Sequence, residues 1–239
     1  MTGGGPAVGA PDGPAGAGLT VEAVGARLAL IRQRIEAAAA GRPVEVVAVT
    51  KAMGTVAVDV AVAVGLTSVG ENYAQELVAK AAAGAGGTAV RWHFRGGVQR
   101  NKVRHLAPLV ELWQSVDRPE VIEAIAARAS GARVLVQVDL AGLAGRSGCR
   151  PADVAALVAT ARQAGLVVRG LMAVGPPGPA EAARPAFRSL ARLADGLGLP
   201  EVSMGMSGDF VVAVEEGATM VRLGTALFGP RSAPGGTGR

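Results

Sequence analysis

The feature that most constrains this chain is an alternation, repeated eight times, of short apolar runs and helix-like segments. A first helix with Thr20 at its N-cap runs to about Ala40 and carries Val24, Leu28, Ile31 and Ile35 on one face. Strands are then read at 44–50, 68–70, 90–94, 112–116, 134–140, 168–174, 202–204 and 220–223. Helices fall near 56–65, 72–83, 100–109, 119–129, 152–164, 180–195 and 208–217. Several strands are unbroken apolar runs, as expected where both faces are covered. Eight strands with seven intervening helices predict a single α/β domain, a (β/α)8 TIM barrel over residues 20–230. The Gly- and Pro-rich stretches 1–19 and 231–239 are expected to be disordered tails. An open doubly wound sheet would need a dinucleotide loop between a strand and a helix. The best Gly-rich candidate, residues 84–89, follows a helix and precedes a strand, and no lysine follows a glycine as a Walker A loop requires.

Composition removes several function classes. One cysteine, Cys149, and two histidines exclude an intramolecular disulfide, a cysteine-based metal site and a three-His zinc site, so the chain reads as metal-free and from a reduced compartment. No basic residue precedes Arg27, so no signal peptide is expected. Glu45, Lys51 and Asp59 interrupt the apolar stretch 44–69, so no membrane span is expected and the protein is read as cytoplasmic. The net charge of +5 resides wholly in residues 91–105, which hold Arg91, Arg95, Arg100, Lys102 and Arg104 and no acid. That segment reads as an anion-facing or solvated loop; without a broad basic surface, no nucleic-acid partner is expected. Only three of the 24 basic residues are lysines, Lys51, Lys80 and Lys102, so a lysine kept among so many arginines invites a chemical explanation.

In a barrel the chemistry sits at the C-terminal ends of the strands. Lys51 follows the first strand, where a low dielectric would favour a neutral, nucleophilic amine able to form a Schiff base. The alternative is a lysine stem snorkelling from a strand end. Ser207-Gly208, read as opening the helix after strand seven, and Gly224-Thr225, after strand eight, occupy the two loops with which barrels often hold phosphate. A Schiff-base lysine facing a phosphate cup fits pyridoxal 5′-phosphate, and equally a sugar-phosphate aldolase. Arg222, at the end of an apolar strand, could face a pyridine nitrogen and weaken the ring as an electron sink, or face a phosphate or carboxylate.

Thr50-Lys51, Gly70-Glu71-Asn72-Tyr73, Trp92-His93-Phe94 with Gln99-Arg100-Asn101-Lys102, Gly170-Leu171-Met172, the run 203–209 and the run 221–229 resemble, in colinear order, the pyridoxal phosphate homeostasis proteins, the YggS family. The resemblance implies a fold-type-III barrel like the N-terminal domain of alanine racemase. It also implies a covalent aldimine on Lys51 and a phosphate held around Ser207, Gly208, Gly224 and Thr225. The chain departs from the family at Ala52-Met53-Gly54, at Arg95, at Gly97-Val98, and at Leu143 and Arg146, which stand where a Glu and a Lys are usual.

Racemases of this type take a second acid-base group, a tyrosine, from a C-terminal β-domain. This chain stops ten residues after Gly229, and its one tyrosine, Tyr73, is expected to pack beside strand two. The expectation is therefore a monomeric carrier that buffers pyridoxal phosphate and passes it to apoenzymes, without robust turnover; the alternatives are a weak racemase and the aldolase. Asn72 reads as a cofactor contact or a helix cap, and His93 as a cofactor contact or a satisfied core residue. Asp209 reads as support for a helix N-terminus, Trp113 and Met172 as packing, Lys80 as solvated, and Lys102 as a possible secondary anion contact.

Overall fold

The computed structural model describes residues 19–142 and 147–230. The tails and the family departures at Leu143 and Arg146 lie outside the described residues, apart from Leu19. Eight parallel strands, β1 (Glu45–Val49), β2 (Ser68–Glu71), β3 (Arg91–Phe94), β4 (Val110–Val116), β5 (Arg133–Gln137), β6 (Val167–Met172), β7 (Glu201–Ser203) and β8 (Met220–Leu223), close into a barrel in sequence order. Closure comes from β8 pairing with β1, in register from Glu45↔Met220 to Ala48↔Leu223. Around the strands lie α1 (Val21–Ala39), α2 (Thr55–Ala63), α3 (Ala74–Ala82), α4 (Val103–Leu106), α5 (Pro119–Ala126), α6 (Val154–Gln163), α7 (Arg184–Gly196), α8 (Phe210–Glu215) and α9 (Thr225–Phe228). Thr20 caps α1, its hydroxyl accepting from Ala23 N at 3.2 Å.

Where the elements differ from the sequence reading, the cause is local hydrogen bonding. β5 ends at Gln137, not at 140, because the returning chain takes over: Val138 bridges Cys149, and Asp139 N donates to Cys149 O. The stretch 100–109 splits into a 3-10 turn, Arg100–Lys102, and the single turn of α4. The helix expected at 208–217 is shorter, Phe210–Glu215. Its first turn is pre-empted because Asp209 N and Phe210 N both donate to Met206 O, so Ser207 and Gly208 lie in a turn ahead of it.

Two apolar layers hold the barrel. The outer one packs helices on the sheet, with Leu28, Val58, Leu77, Ile122, Ile125, Phe187 and Phe210 fully buried or nearly so. Each such side chain contributes roughly 1.5–3 kcal/mol when removed from water. The inner one is a separate small cluster of Val47, Leu112, Leu135, Met172 and Met220. Trp113 and Met172 are packing residues, as read from the sequence. The interior also holds a polar chain: Arg222 Nη1 donates to Ser203 Oγ (2.8 Å), Ser203 Oγ to Gln114 Oε1 (2.8 Å), and Gln114 Nε2 to His93 Nδ1 (2.9 Å). His93 is thus a satisfied interior histidine. Burial, helped by the charge of Arg91, pulls its pKa down to about 4.

A Cβ on Gly170 would stand 1.8 Å from Glu201 O, the backbone of the paired strand. Gly170→Ala is therefore expected to cost about 3 kcal/mol or more in urea unfolding, and a change under ~0.5 kcal/mol would show that β6 and β7 are not packed this closely. The unfolded chain binds a proton near pH 6.5 that buried His93 takes only near 4. Stability should accordingly fall as pH drops through that window, by roughly 3 kcal/mol, and His93→Gln should flatten the decline.

Candidate functional site

Parallel strands in sequence order end on one rim, and closure sets the end of β1 beside the loop after β8. The structure thereby brings Lys51, Asn72, Arg222, and the Ser207-Gly208 and Gly224-Thr225 loops to the same end of the barrel. Alternation along β1 turns Val47 and Val49 inward, and Gly70 across from them leaves room; a Cβ there would meet Val47, Val49 and the stem of Arg95. Lys51, next in that alternation, is half-buried in the turn after the strand. Its neighbour Ala52 has φ of +57°, an uncommon conformation for a residue with a Cβ.

The two loops expected to form an anion cup are joined by one side chain. Ser207 Oγ accepts from Gly224 N (3.3 Å) and from Ala226 N (3.0 Å), so N–H groups at the start of α9 already converge on a single oxygen. Thr225 and Gly208 are exposed beside it. Gly208 is not demanded by crowding, since a Cβ there would meet nothing within 4 Å. Gly205 is the constrained glycine of this loop: φ is +88° and a Cβ would lie 2.6 Å from that of Ala213. Asp209 stands at the cap position of α8, but its carboxylate turns back to accept from Met206 N at 2.6 Å, fastening the loop rather than capping the helix.

Arg222 is buried to 1% exposure. Its hydrogen bonds go to two neutral acceptors, Ser203 Oγ and Ala173 O, each at 2.8 Å, and Nε has no partner. Desolvation, with repulsion from Arg95, lowers its pKa to about 9, so it remains a cation at neutral pH with a donor to spare. On the other side of the rim Asn72 Oδ1 is also buried without a partner. Asn72 caps no helix, because Tyr73 takes the cap position of α3. It borders a recess of about 270 Å³ shared with Phe94, Gln99 and Lys102. Tyr73 does not pack against the barrel as expected. Its side chain lies at the recess edge and is 55% exposed, since the β2–α3 turn points it away from the sheet.

A further group escaped the sequence reading. Lys80, expected to be solvated, is 5% exposed and lies between α3 and the sheet. Its Nζ donates to Glu71 Oε1 (2.5 Å) and to Thr50 O (2.8 Å). Glu71 also accepts from Thr50 Oγ1 (2.6 Å), and burial raises its pKa against the opposing pull of Lys80 and Thr50. Glu76, one turn before Lys80, accepts from Ala52 N (2.8 Å). Removing one partner of a buried pair of this kind costs about 3–5 kcal/mol. The signal was present in the scarcity of lysine: Lys80 is one of only three, and it follows the buried Glu71 by nine residues.

Residues 21–232 match the family described as alanine racemase, N-terminal domain. The pyridoxal phosphate homeostasis protein of Pseudomonas aeruginosa is 42% identical over 213 residues, covering 84% of this chain and 91% of the relative. The structure of PipY of Synechococcus elongatus with PLP bound superposes with a TM-score of 0.75 at 32% identity, covering 86% of this chain and all of that one. Alanine racemase of Corynebacterium glutamicum shares the fold, with a TM-score of 0.67 at 20% identity over 91% of this chain and 63% of that one. This chain therefore belongs to the alanine racemase N-terminal-domain family and, within it, to the pyridoxal phosphate homeostasis proteins.

Proposed function

We propose that this protein binds pyridoxal 5′-phosphate (PLP) at the C-terminal rim of its barrel, holds it through an aldimine on Lys51, and buffers it for PLP-dependent apoenzymes. The observation that carries the reading is the convergence of Gly224 N and Ala226 N on the Ser207 hydroxyl. An oxygen acceptor is already held where the two loops meet, and a phosphate oxygen can replace it with charge-assisted bonds. The unpartnered atoms agree with the ligand in kind. Arg222 Nε is a donor suited to a pyridine nitrogen, and Asn72 Oδ1 is an acceptor suited to a hydroxyl or protonated group beside the ring. PLP supplies an aldehyde that an amine can condense with. The chain's own residues bind the phosphate, orient the ring, and present the Lys51 amine.

The carrier reading is favoured over turnover by what surrounds those atoms. A permanent cation at the ring nitrogen disfavours its protonation, and so weakens the ring as an electron sink. His93, the rim strand's histidine, is committed to Gln114 rather than free to shuttle a proton. Among the described residues no helix is long and apolar enough to cross a membrane. The proposed partners are PLP itself and the apoenzymes that receive it, met by a monomeric protein.

Purified protein mixed with PLP should develop visible aldimine absorbance, and borohydride reduction followed by peptide mass analysis should place the adduct on Lys51. Lys51→Ala should remove both; an adduct retained elsewhere would overturn the assignment. Pyridoxal, which lacks the phosphate, should bind on the order of a hundredfold more weakly, from the loss of two charge-assisted hydrogen bonds. Equal affinity for the two would show that the Ser207–Gly224 junction holds no anion. With L-alanine in deuterated solvent, the loaded protein should exchange the α-proton little faster than free PLP does. Fast exchange would favour the racemase reading.

A further inference from the structure

Behind the rim, on the outer face of β1 and β2, a cluster of charges grips the chain on both sides of Lys51. Before the lysine, Thr50 is held twice: its hydroxyl donates to Glu71 Oε1 at 2.6 Å, and its carbonyl accepts from Lys80 Nζ at 2.8 Å. After the lysine, Ala52 N donates to Glu76 Oε2 at 2.8 Å, which holds Ala52 in its left-handed conformation. Glu76 and Lys80 stand one turn apart on α3, and Lys80 links the two grips through its 2.5 Å contact with Glu71. An ordinary strand end needs no such arrangement. A buried cation and a buried carboxylate are costly to desolvate, and here both hold Thr50, while the partly exposed Glu76 holds the peptide on the far side of the lysine.

We infer that Glu71, Glu76 and Lys80 are positioning residues for Lys51, fixing the backbone on either side of it so that its amine is presented to the PLP aldehyde. This rests on the reading of Lys51 given above. None of the three has been placed against the ligand. They act through the main chain, and a small displacement of a reacting atom is enough to weaken its reaction strongly. The stem of Lys51 is long and flexible, so where its backbone starts decides how often the amine reaches the carbonyl.

The test separates presentation of the amine from general integrity of the site. Glu76→Ala removes the acceptor for Ala52 N, and Glu76→Gln keeps one. Lys80→Met combined with Glu71→Gln removes both buried charges together, which spares the fold an unpaired ion. Each full-length protein is titrated with PLP, read by aldimine absorbance and borohydride trapping at Lys51, and with pyridoxamine 5′-phosphate, which has the same ring and phosphate but no aldehyde. Glu76→Ala and the double variant are expected to lose about tenfold in PLP affinity while pyridoxamine 5′-phosphate changes less than about twofold, and Glu76→Gln should restore PLP binding. Unchanged PLP affinity in both variants overturns the inference. So does an equal loss for pyridoxamine 5′-phosphate, which would mean a merely structural role. If Lys51→Ala keeps its aldimine, the reading of Lys51 fails and this inference with it. If Lys51→Ala is colourless while Glu76→Ala and the double variant load normally, this inference alone fails.

Discussion

Closure of the sheet is the constraint on which the rest depends. The β8–β1 pairing, from Glu45↔Met220 to Ala48↔Leu223, makes the first and last strands neighbours although the whole domain separates them in sequence. Without it Lys51, after β1, and the Gly224-Thr225 loop, after β8, would lie at opposite edges of an open sheet. With it, Lys51 and the Ser207-Gly208 and Gly224-Thr225 loops share one rim, and the eight strand ends become a ring of positions that can be specialised independently.

Two cations are buried among the described residues, and the barrel treats them in opposite ways. Lys80 has a carboxylate at 2.5 Å and a carbonyl at 2.8 Å, so its charge is neutralised within the fold and serves the backbone. Arg222 has only neutral acceptors and keeps Nε unused. In a low dielectric the first arrangement adds rigidity, and the second leaves a charge that no hydrogen-bonded carboxylate neutralises. The polar chain from Arg222 through Ser203 and Gln114 to His93 spreads that charge over oriented dipoles without cancelling it.

Most of the architecture was legible because strands buried on both faces write unbroken apolar runs, and their count and spacing allow few topologies. The rim residues Lys51, Arg222, Ser207 and Gly224 were legible from the rule that strand ends carry chemistry. What was not legible depends on contacts between elements distant in sequence. Lys80 sits among alanines on α3, and nothing local says that its ammonium reaches past Glu71 to the carbonyl of residue 50. The turn before α8 was misread because Ser207 looks like a cap. Its hydroxyl instead bonds across to Gly224 and Ala226, a partner set defined only by the β7–β8 pairing. Tyr73 was expected to pack at the start of the helix after strand two, but its side chain is 55% exposed.

Because the Ser207 hydroxyl satisfies the Gly224 and Ala226 amides within the chain, an anion bound there as proposed would exchange one acceptor for another rather than gain bonds from nothing. On that proposal the same atom would moderate affinity and ease release, since a departing anion would leave no stranded amide behind.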